Sequence, residues 1–107
     1  MRLLSKNLYH VKKLNDSSWE VKLAEANHPV FKAHFEGNPL LPAFLQIDIF
    51  AEIMEKTVRK IGKCKFKQPI LPNDMVEYTI VKIIDQRYKV NISKNGTSTS
   101  ELNITLK

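Results

Sequence analysis

A single, nearly all-apolar helix followed only by strand patterns is the feature that most constrains the fold of this chain. Pro42 suits the first helical position, where its missing N–H costs nothing. Further along, apolar residues recur at the three- and four-residue steps of an amphipathic helix, at Phe44, Ile47, Ala51, Met54 and Val58. Apolar residues also occupy most positions between these and leave little polar surface, so other parts of the protein must cover the helix on most sides. Gly62 marks the end of the helix or the connection beyond it.

Strand patterns flank this helix on both sides. Residues 7–14 and 18–25 are predicted strands, the second because apolar and charged residues alternate in it, and residues 26–41 are predicted to be irregular. A turn is expected at Pro72-Asn73-Asp74, and Asn95-Gly96 is the strongest short hairpin signal available. The strands predicted after the helix cover residues 63–70, 75–84, 86–93 and 98–106.

This order predicts the α+β class, with one antiparallel sheet curled around one central helix. The length of 107 residues suits a single domain over residues 1–107. Such a sheet leaves its outer face and its edges to be covered, so a dimer is expected.

Composition excludes several classes of protein. The chain is 43% hydrophobic and 26% charged, which is typical of a soluble globular protein. No stretch approaches the roughly 20 apolar residues of a membrane span, and the first ten residues do not form a signal peptide. We therefore expect a cytoplasmic location without membrane insertion. Cys64 is the one cysteine, and His28 and His34 lack metal-ligand spacing, so neither metal nor cofactor is predicted.

The net charge of +6 includes a basic cluster in the middle of the chain. Its members are Lys56, Arg59, Lys60, Lys63, Lys65 and Lys67. Such a cluster attracts nucleic acid, an anionic membrane or an acidic protein, or it is simply a solvated strand face. Since no RNA-binding, helix-turn-helix or zinc-finger pattern accompanies it, nucleic acid is not an expected partner.

The stretch HFEGNPLLPAFLQID places His34 and Asp48 on either side of a rigid turn that enters the helix. Taken singly, His34 is better explained as a loop histidine, and Asp48 is explained as the start of the solvent-facing stripe of the helix. Together, they supply a base and an acid beside a helix N-terminus whose N–H groups can bind a carbonyl oxygen as it gains charge. These groups suffice to remove a proton beside a carbonyl and expel a leaving group.

The same stretch resembles the signature of the 3-hydroxyacyl-ACP dehydratases of the FabA/FabZ type, H-F-[PE]-G-x-P-x-x-P-G followed by an acid fourteen residues after the histidine. NHPVFKAHF and KFKQPILPNDMV are similar to two further segments of that family, so the resemblance covers about residues 25–107. Leu-Pro followed by Gln46-x-Asp48 is similar to a smaller branch, the dehydratases found in aryl polyene clusters.

The resemblance implies a hotdog fold and dimers in which the acid faces the histidine of the other subunit. It also implies dehydration of a (3R)-3-hydroxyacyl thioester, carried on acyl carrier protein (ACP), to the trans-2-enoyl product. His34 would be the base, Asp48 of the partner subunit the acid, and the Ala43 N–H the donor to the enolate-like oxygen. The residues that would contact substrate are Ala43, Phe35, Gly37, Pro42 and Gln46.

Two departures from the family pattern keep other functions open. Ala43 replaces the usual glycine, and its methyl group is expected to crowd the acyl chain. Asp48 stands where the FabZ branch has Glu. Ala43 makes a hotdog protein that binds acyl thioesters without catalysis one alternative to the dehydratase. An acyl thioesterase is the other, because the same fold supports hydrolysis.

Overall fold

The strands assemble into one antiparallel sheet. The computed structural model describes residues 7–33 and 40–107, and in this part of the chain the sheet has seven strands. They are ordered β1-β2-β5-β6-β7-β3, with β4 also paired to β7. Their bounds are β1 Tyr9–Asn15, β2 Ser18–Leu23, β3 Val58–Ile61, β4 Lys65–Phe66, β5 Met75–Ile84, β6 Arg87–Lys94 and β7 Thr97–Leu106.

Two helices accompany the sheet in the described residues, α1 at Pro29–Ala33 and α2 at Ala43–Met54. The longer helix, α2, packs its apolar side chains into the same core as the sheet. One contact of that core is edge-to-face, with the rings of Phe50 and Tyr88 5.9 Å apart. The predicted α+β arrangement of a sheet against one central helix is therefore confirmed.

The core lies on one face of the sheet because the strands alternate, as half-buried strands do. On β5, Val76, Tyr78 and Ile80 are buried, whereas Met75 and Val81 are exposed. Strands β2, β6 and β7 show the same alternation, with buried residues at Val21, Leu23, Tyr88, Val90, Ile92, Leu102, Ile104 and Leu106. The opposite face, called the outer face below, carries mainly polar and charged side chains.

The predicted turns are confirmed. Asn95 and Gly96 have φ values of 53° and 82°, as a tight hairpin between β6 and β7 requires. At the second turn, Asn73 has a φ of 67°, and the Leu71 N–H donates to Asp74 Oδ2 over 2.8 Å. A short polar side chain thus satisfies the backbone where the chain reverses.

The predicted helix was too long at its C-terminal end. Glu55 adopts the left-handed conformation, with a φ of 55°, and the Lys56 N–H donates back to the Ala51 carbonyl over 3.1 Å. This geometry ends a helix. Val58, which the periodicity placed on the helix, begins β3 and pairs with Leu106. Phe44 is 57% exposed, so it does not belong to the buried stripe either.

Three further predictions need correction. Residues 26–41 are not wholly irregular, since α1 lies within them, and the Val30 N–H donates to His28 Nδ1 over 3.1 Å. The strand predicted over 63–70 is confined to Lys65–Phe66, which form the ladder pairs with β7, whereas the N–H groups of Lys67 and Gln68 both donate to the Thr99 carbonyl. Pro42 is the residue before the first helical position, with an extended ψ of 149°.

Within the described ranges, none of the helices has the length and apolar character needed to cross a membrane.

The packing of β7 gives a stability prediction. Ile104 is 1% exposed, whereas Ile84 on β5 is 63% exposed. Ile104→Ala should lower the free energy of unfolding by about 2–5 kcal/mol, because it removes buried methyl groups and leaves a cavity. Ile84→Ala, the matched control, should change it by less than about 0.5 kcal/mol. Urea denaturation measures both, and equal losses would contradict the assignment of the two faces.

Candidate active site at the N-terminus of helix α2

The N-terminus of α2 lies beside a depression on the protein surface. The Pro42 carbonyl accepts the first hydrogen bonds of the helix, from the N–H groups of Leu45 and Gln46 at 3.1 and 3.3 Å. Ala43 precedes these donors, so its own N–H has no acceptor within the helix. Ala43 is exposed, whereas Pro42 is buried beneath it. The helix start therefore leaves a donor at an exposed residue, where the partial positive charge of the helix favours a developing negative charge.

The depression beside Ala43 has a volume of about 230 Å3. One wall is the start of α2, and the other is β4 with the residues that follow it. Its lining consists of Leu40, Leu41, Ala43, Gln46, Phe66, Lys67, Gln68 and Pro69. The fold thus brings the segment KFKQP against the helix start, so that Phe66 and Lys67 join the candidate site. Neither was singled out as a site residue from the sequence.

Gln46 fixes the first turn of α2 to the sheet. It is 3% exposed, its Oε1 accepts a hydrogen bond from Ser100 Oγ over 2.7 Å, and its Nε2 lies 3.5 Å from the Leu41 carbonyl. Ser100 lies on β7 and is fully buried. The two polar side chains satisfy each other in a site where an unpaired one would be costly. Gln46 also lines the depression, and a contact with substrate stays a prediction.

Tyr78 adds a second polar tie between the sheet and this turn. Its hydroxyl donates to the Gln46 backbone carbonyl over 2.9 Å, and its side chain is fully buried. Burial raises the pKa of the Tyr78 hydroxyl far above its usual range, so the group stays protonated and remains a donor. No local sequence pattern indicates Tyr78 or Ser100, because both reach α2 only through long-range pairing of the sheet.

Asp48 lies one turn further along α2, away from the depression. It is half-buried between the buried residues Ile47 and Ile49, and it is not part of the depression lining. Ala43 and Gln46 therefore meet in one place, while Asp48 of the same chain does not join them. Three other predicted site residues, His34, Phe35 and Gly37, lie outside the described residues.

Lys67 carries the strongest electrostatic contact at the site. Its Nζ lies 2.9 Å from Glu101 Oε2. This ammonium lowers the pKa of the Glu101 carboxyl by hydrogen bonding and by charge. The Glu101 carboxylate therefore stays ionised to a lower pH than it would without Lys67. Among residues 7–33 and 40–107, no group of three or more His, Cys, Asp or Glu side chains could hold a metal ion.

The sequence profile of the ApeI-like family, described as ApeI dehydratase, matches residues 10–102. Curated relatives are FabZ 3-hydroxyacyl-ACP dehydratases. The protein from Alkaliphilus metalliredigens is 32% identical over 56% of this chain and 50% of its own length. The one from Nitrobacter winogradskyi is 29% identical over 78% of this chain and 68% of its own length. The chain spans about half the length of the first of these relatives.

Solved structures show the same fold. The dehydratase heterocomplex ApeI:P from Xenorhabdus doucetiae has a TM-score of 0.70 at 19% identity, over 91% of this chain and 93% of that one. A hypothetical thioesterase with coenzyme A from Streptococcus pneumoniae has a TM-score of 0.60 at 12% identity, over 92% and 86% of the two chains. At these identities the likeness concerns the fold alone.

The sheet, its central helix and these neighbours define a hotdog-fold protein, as the resemblance implied. Within that class, the profile match over residues 10–102 is decisive. The chain belongs to the ApeI-like dehydratase family.

The buried Gln46–Ser100 hydrogen bond gives a second stability prediction. Ser100→Ala should lower the free energy of unfolding by about 1–3 kcal/mol, because it leaves Gln46 Oε1 buried without its donor. Ser98→Ala is the matched control. Ser98 Oγ donates to Asn91 Oδ1 over 2.7 Å in a partly exposed position, where water can replace it. Its loss should stay below about 1 kcal/mol. Thermal denaturation measures both variants. If Ser98→Ala lowers the free energy of unfolding more than Ser100→Ala does, the Gln46–Ser100 hydrogen bond is not the stabilising contact described here.

Proposed function

We propose that this protein dehydrates (3R)-3-hydroxyacyl thioesters to trans-2-enoyl thioesters. The observation that carries the proposal is the match to the ApeI-like dehydratase family over residues 10–102. The exposed Ala43 at the start of α2, beside a depression, is consistent with it, since a thioester oxygen needs such a donor. We propose that the acyl chain arrives on acyl carrier protein, the carrier in the names of the FabZ relatives.

The proposed reaction uses three groups. His34 takes the proton from C2, and the electron pair moves towards the thioester carbonyl. The Ala43 N–H stabilises the negative charge on that oxygen. When the charge returns, the C2–C3 double bond forms and the C3–O bond breaks. Asp48 gives a proton to the departing hydroxyl, so that water leaves and the thioester bond stays intact.

We infer that each site takes its acid from a second subunit. Asp48 is half-buried and does not line the depression that contains Ala43 of its own chain. An Asp48 that completes the site of a partner chain is consistent with that position, and a homodimer is the simplest assembly that supplies it. The Xenorhabdus doucetiae relative is a heterocomplex, so a different partner chain is the competing assembly.

The reaction type is tested by mass spectrometry of a 3-hydroxyacyl-ACP incubated with the protein. Dehydration removes one water from the acyl-ACP mass. A thioesterase would release free ACP, and a binding protein would leave the mass unchanged. His34→Ala should slow dehydration by roughly 10²–10⁴-fold if His34 is the base. Dehydration at the wild-type rate in this variant would remove His34 from the proposal.

The shared site is tested by mixing two inactive variants. His34→Ala and Asp48→Asn, combined in equal amounts with subunit exchange, form heterodimers in which one of the two sites is intact. Random exchange should then restore about a quarter of wild-type activity. Native mass spectrometry verifies that exchange has occurred. Heterodimers that form but remain inactive would contradict the shared site.

A further inference from the structure

A groove on the outer face of the sheet, at the edge formed by β3, is lined by three cationic side chains. The groove has a volume of about 300 Å3 and lies where β3, β7 and β6 run side by side. Lys60 and Lys63 contribute from β3 and the loop after it, and Arg87 contributes from the start of β6. This outer groove shares no lining residue with the depression beside Ala43.

The strand register fixes two of the cations on either side of one residue. Lys60 on β3 and Arg87 on β6 are both directly opposite Thr105 on β7. Residues directly opposite in an antiparallel pair have Cβ atoms about 5 Å apart, so the side chains of Lys60 and Arg87 start from positions on either side of Thr105. Both cations therefore add positive charge to the same part of the groove.

The third cation is held by a close approach of two backbones. The Gly62 N–H donates to the Asn103 carbonyl over 2.7 Å, and the Asn103 side-chain amide donates to the Lys63 carbonyl over 2.7 Å. A Cβ atom at Gly62 would lie 3.1 Å from the Asn103 oxygen, so glycine permits this contact. The loop that carries Lys63 is thus attached to the floor of the groove.

The charge of the outer groove is not neutralised by the carboxylates of residues 7–33 and 40–107. In the described residues, none of its three cations forms an ion pair with a carboxylate. Glu101 lies two residues before Asn103, on the same face of β7, but it pairs with Lys67 at 2.9 Å. Lys65 and Lys89 also lower the pKa of its carboxyl, which reflects the positive potential of this face.

The rest of the lining suits a small organic anion. Thr105 offers a hydroxyl donor, and Ile83, which is 52% exposed, offers an apolar wall. A guanidinium binds two oxygens of a phosphate at once, and two ammonium groups add charge that a singly charged carboxylate would not balance. The volume of about 300 Å3 lies at the lower end of the range for small-molecule sites.

We propose that the outer groove is a binding site for the phosphate or diphosphate group of a small molecule, with Lys60, Lys63 and Arg87 as its ligands. The basic cluster of the sequence contains two of these residues, and the sheet adds Arg87 from a distant part of the chain. The proposal does not depend on dehydratase activity, because binding here is measured without turnover.

The test is a titration of the full chain with inorganic pyrophosphate at constant ionic strength, followed by two-dimensional NMR. Saturable shifts should be confined to the amides around Gly62, Asn103 and Thr105. Lys60→Gln and Arg87→Gln should each weaken binding by roughly two- to fivefold, as loss of one exposed ion pair does. Lys12→Gln is the matched control, an exposed strand lysine on β1 at the other edge of the sheet, and it should bind like wild type.

Several outcomes would overturn the proposal. They are shifts that do not saturate, shifts spread over lysines on all strands, and equal weakening in the Lys12→Gln control.

A second titration compares pantetheine 4′-phosphate with pantetheine. If the groove takes phosphate esters, only the phosphorylated compound shifts Asn103 and Thr105. If the groove binds pyrophosphate but not pantetheine 4′-phosphate, the site takes free anions only, and the role of Ile83 as an apolar wall for an organic group is wrong. A response to an acidic protein, with none to pyrophosphate or the ester, would make the groove a protein-docking surface instead.

Discussion

The burial of α2 against one face of the sheet is the constraint on which the rest of this structure depends. Its apolar side chains, among them Ile49 and Phe50, are almost fully removed from water within the core that the sheet builds. Burial of this kind stabilises a fold by about 25 cal/mol for each Å2 of apolar surface. It does not by itself fix the position of a helix along its axis. Gln46 and Tyr78 add that specificity, because their hydrogen bonds form only when the first turn of α2 lies opposite Ser100 and β5.

Fixing that turn also fixes the candidate site. Ala43 lies three residues before Gln46, so the bonds that hold Gln46 determine where the Ala43 N–H points. The depression beside Ala43 and the outer groove use different surfaces of one sheet. The first is built where α2 begins and β4 ends. The second depends on the register of β3 and β6 with β7, on the opposite face. A change in one need not alter the other, and their functions can be tested separately.

The sequence predicted the strands well where alternation is regular and the turn residues are distinctive. β5 was predicted at residues 75–84, as observed, and Asn95-Gly96 forms the expected hairpin. The end of α2 could not be predicted, because apolar residues continue at helical spacing to Val58. What ends the helix is the left-handed conformation of Glu55, a residue with no special preference for it. The short length of β4 could not be predicted either, because it is set by which residues of β7 pair with this segment.

For the site, the sequence predicted the start of α2 and, through its resemblance to the dehydratase family, the residues Ala43 and Gln46, which both line the depression. It missed Ser100 and Tyr78, and it did not join Arg87 to Lys60, because these contacts arise only when distant strands pair.

The central claim is that this site adds and removes water at C3 of an acyl thioester. Incubation of a trans-2-enoyl thioester in H2¹⁸O, followed by mass spectrometry, tests it in the reverse direction. The predicted result is one ¹⁸O atom on C3 of an intact 3-hydroxyacyl thioester. A label found only in a released carboxylic acid, or no label at all, would contradict it.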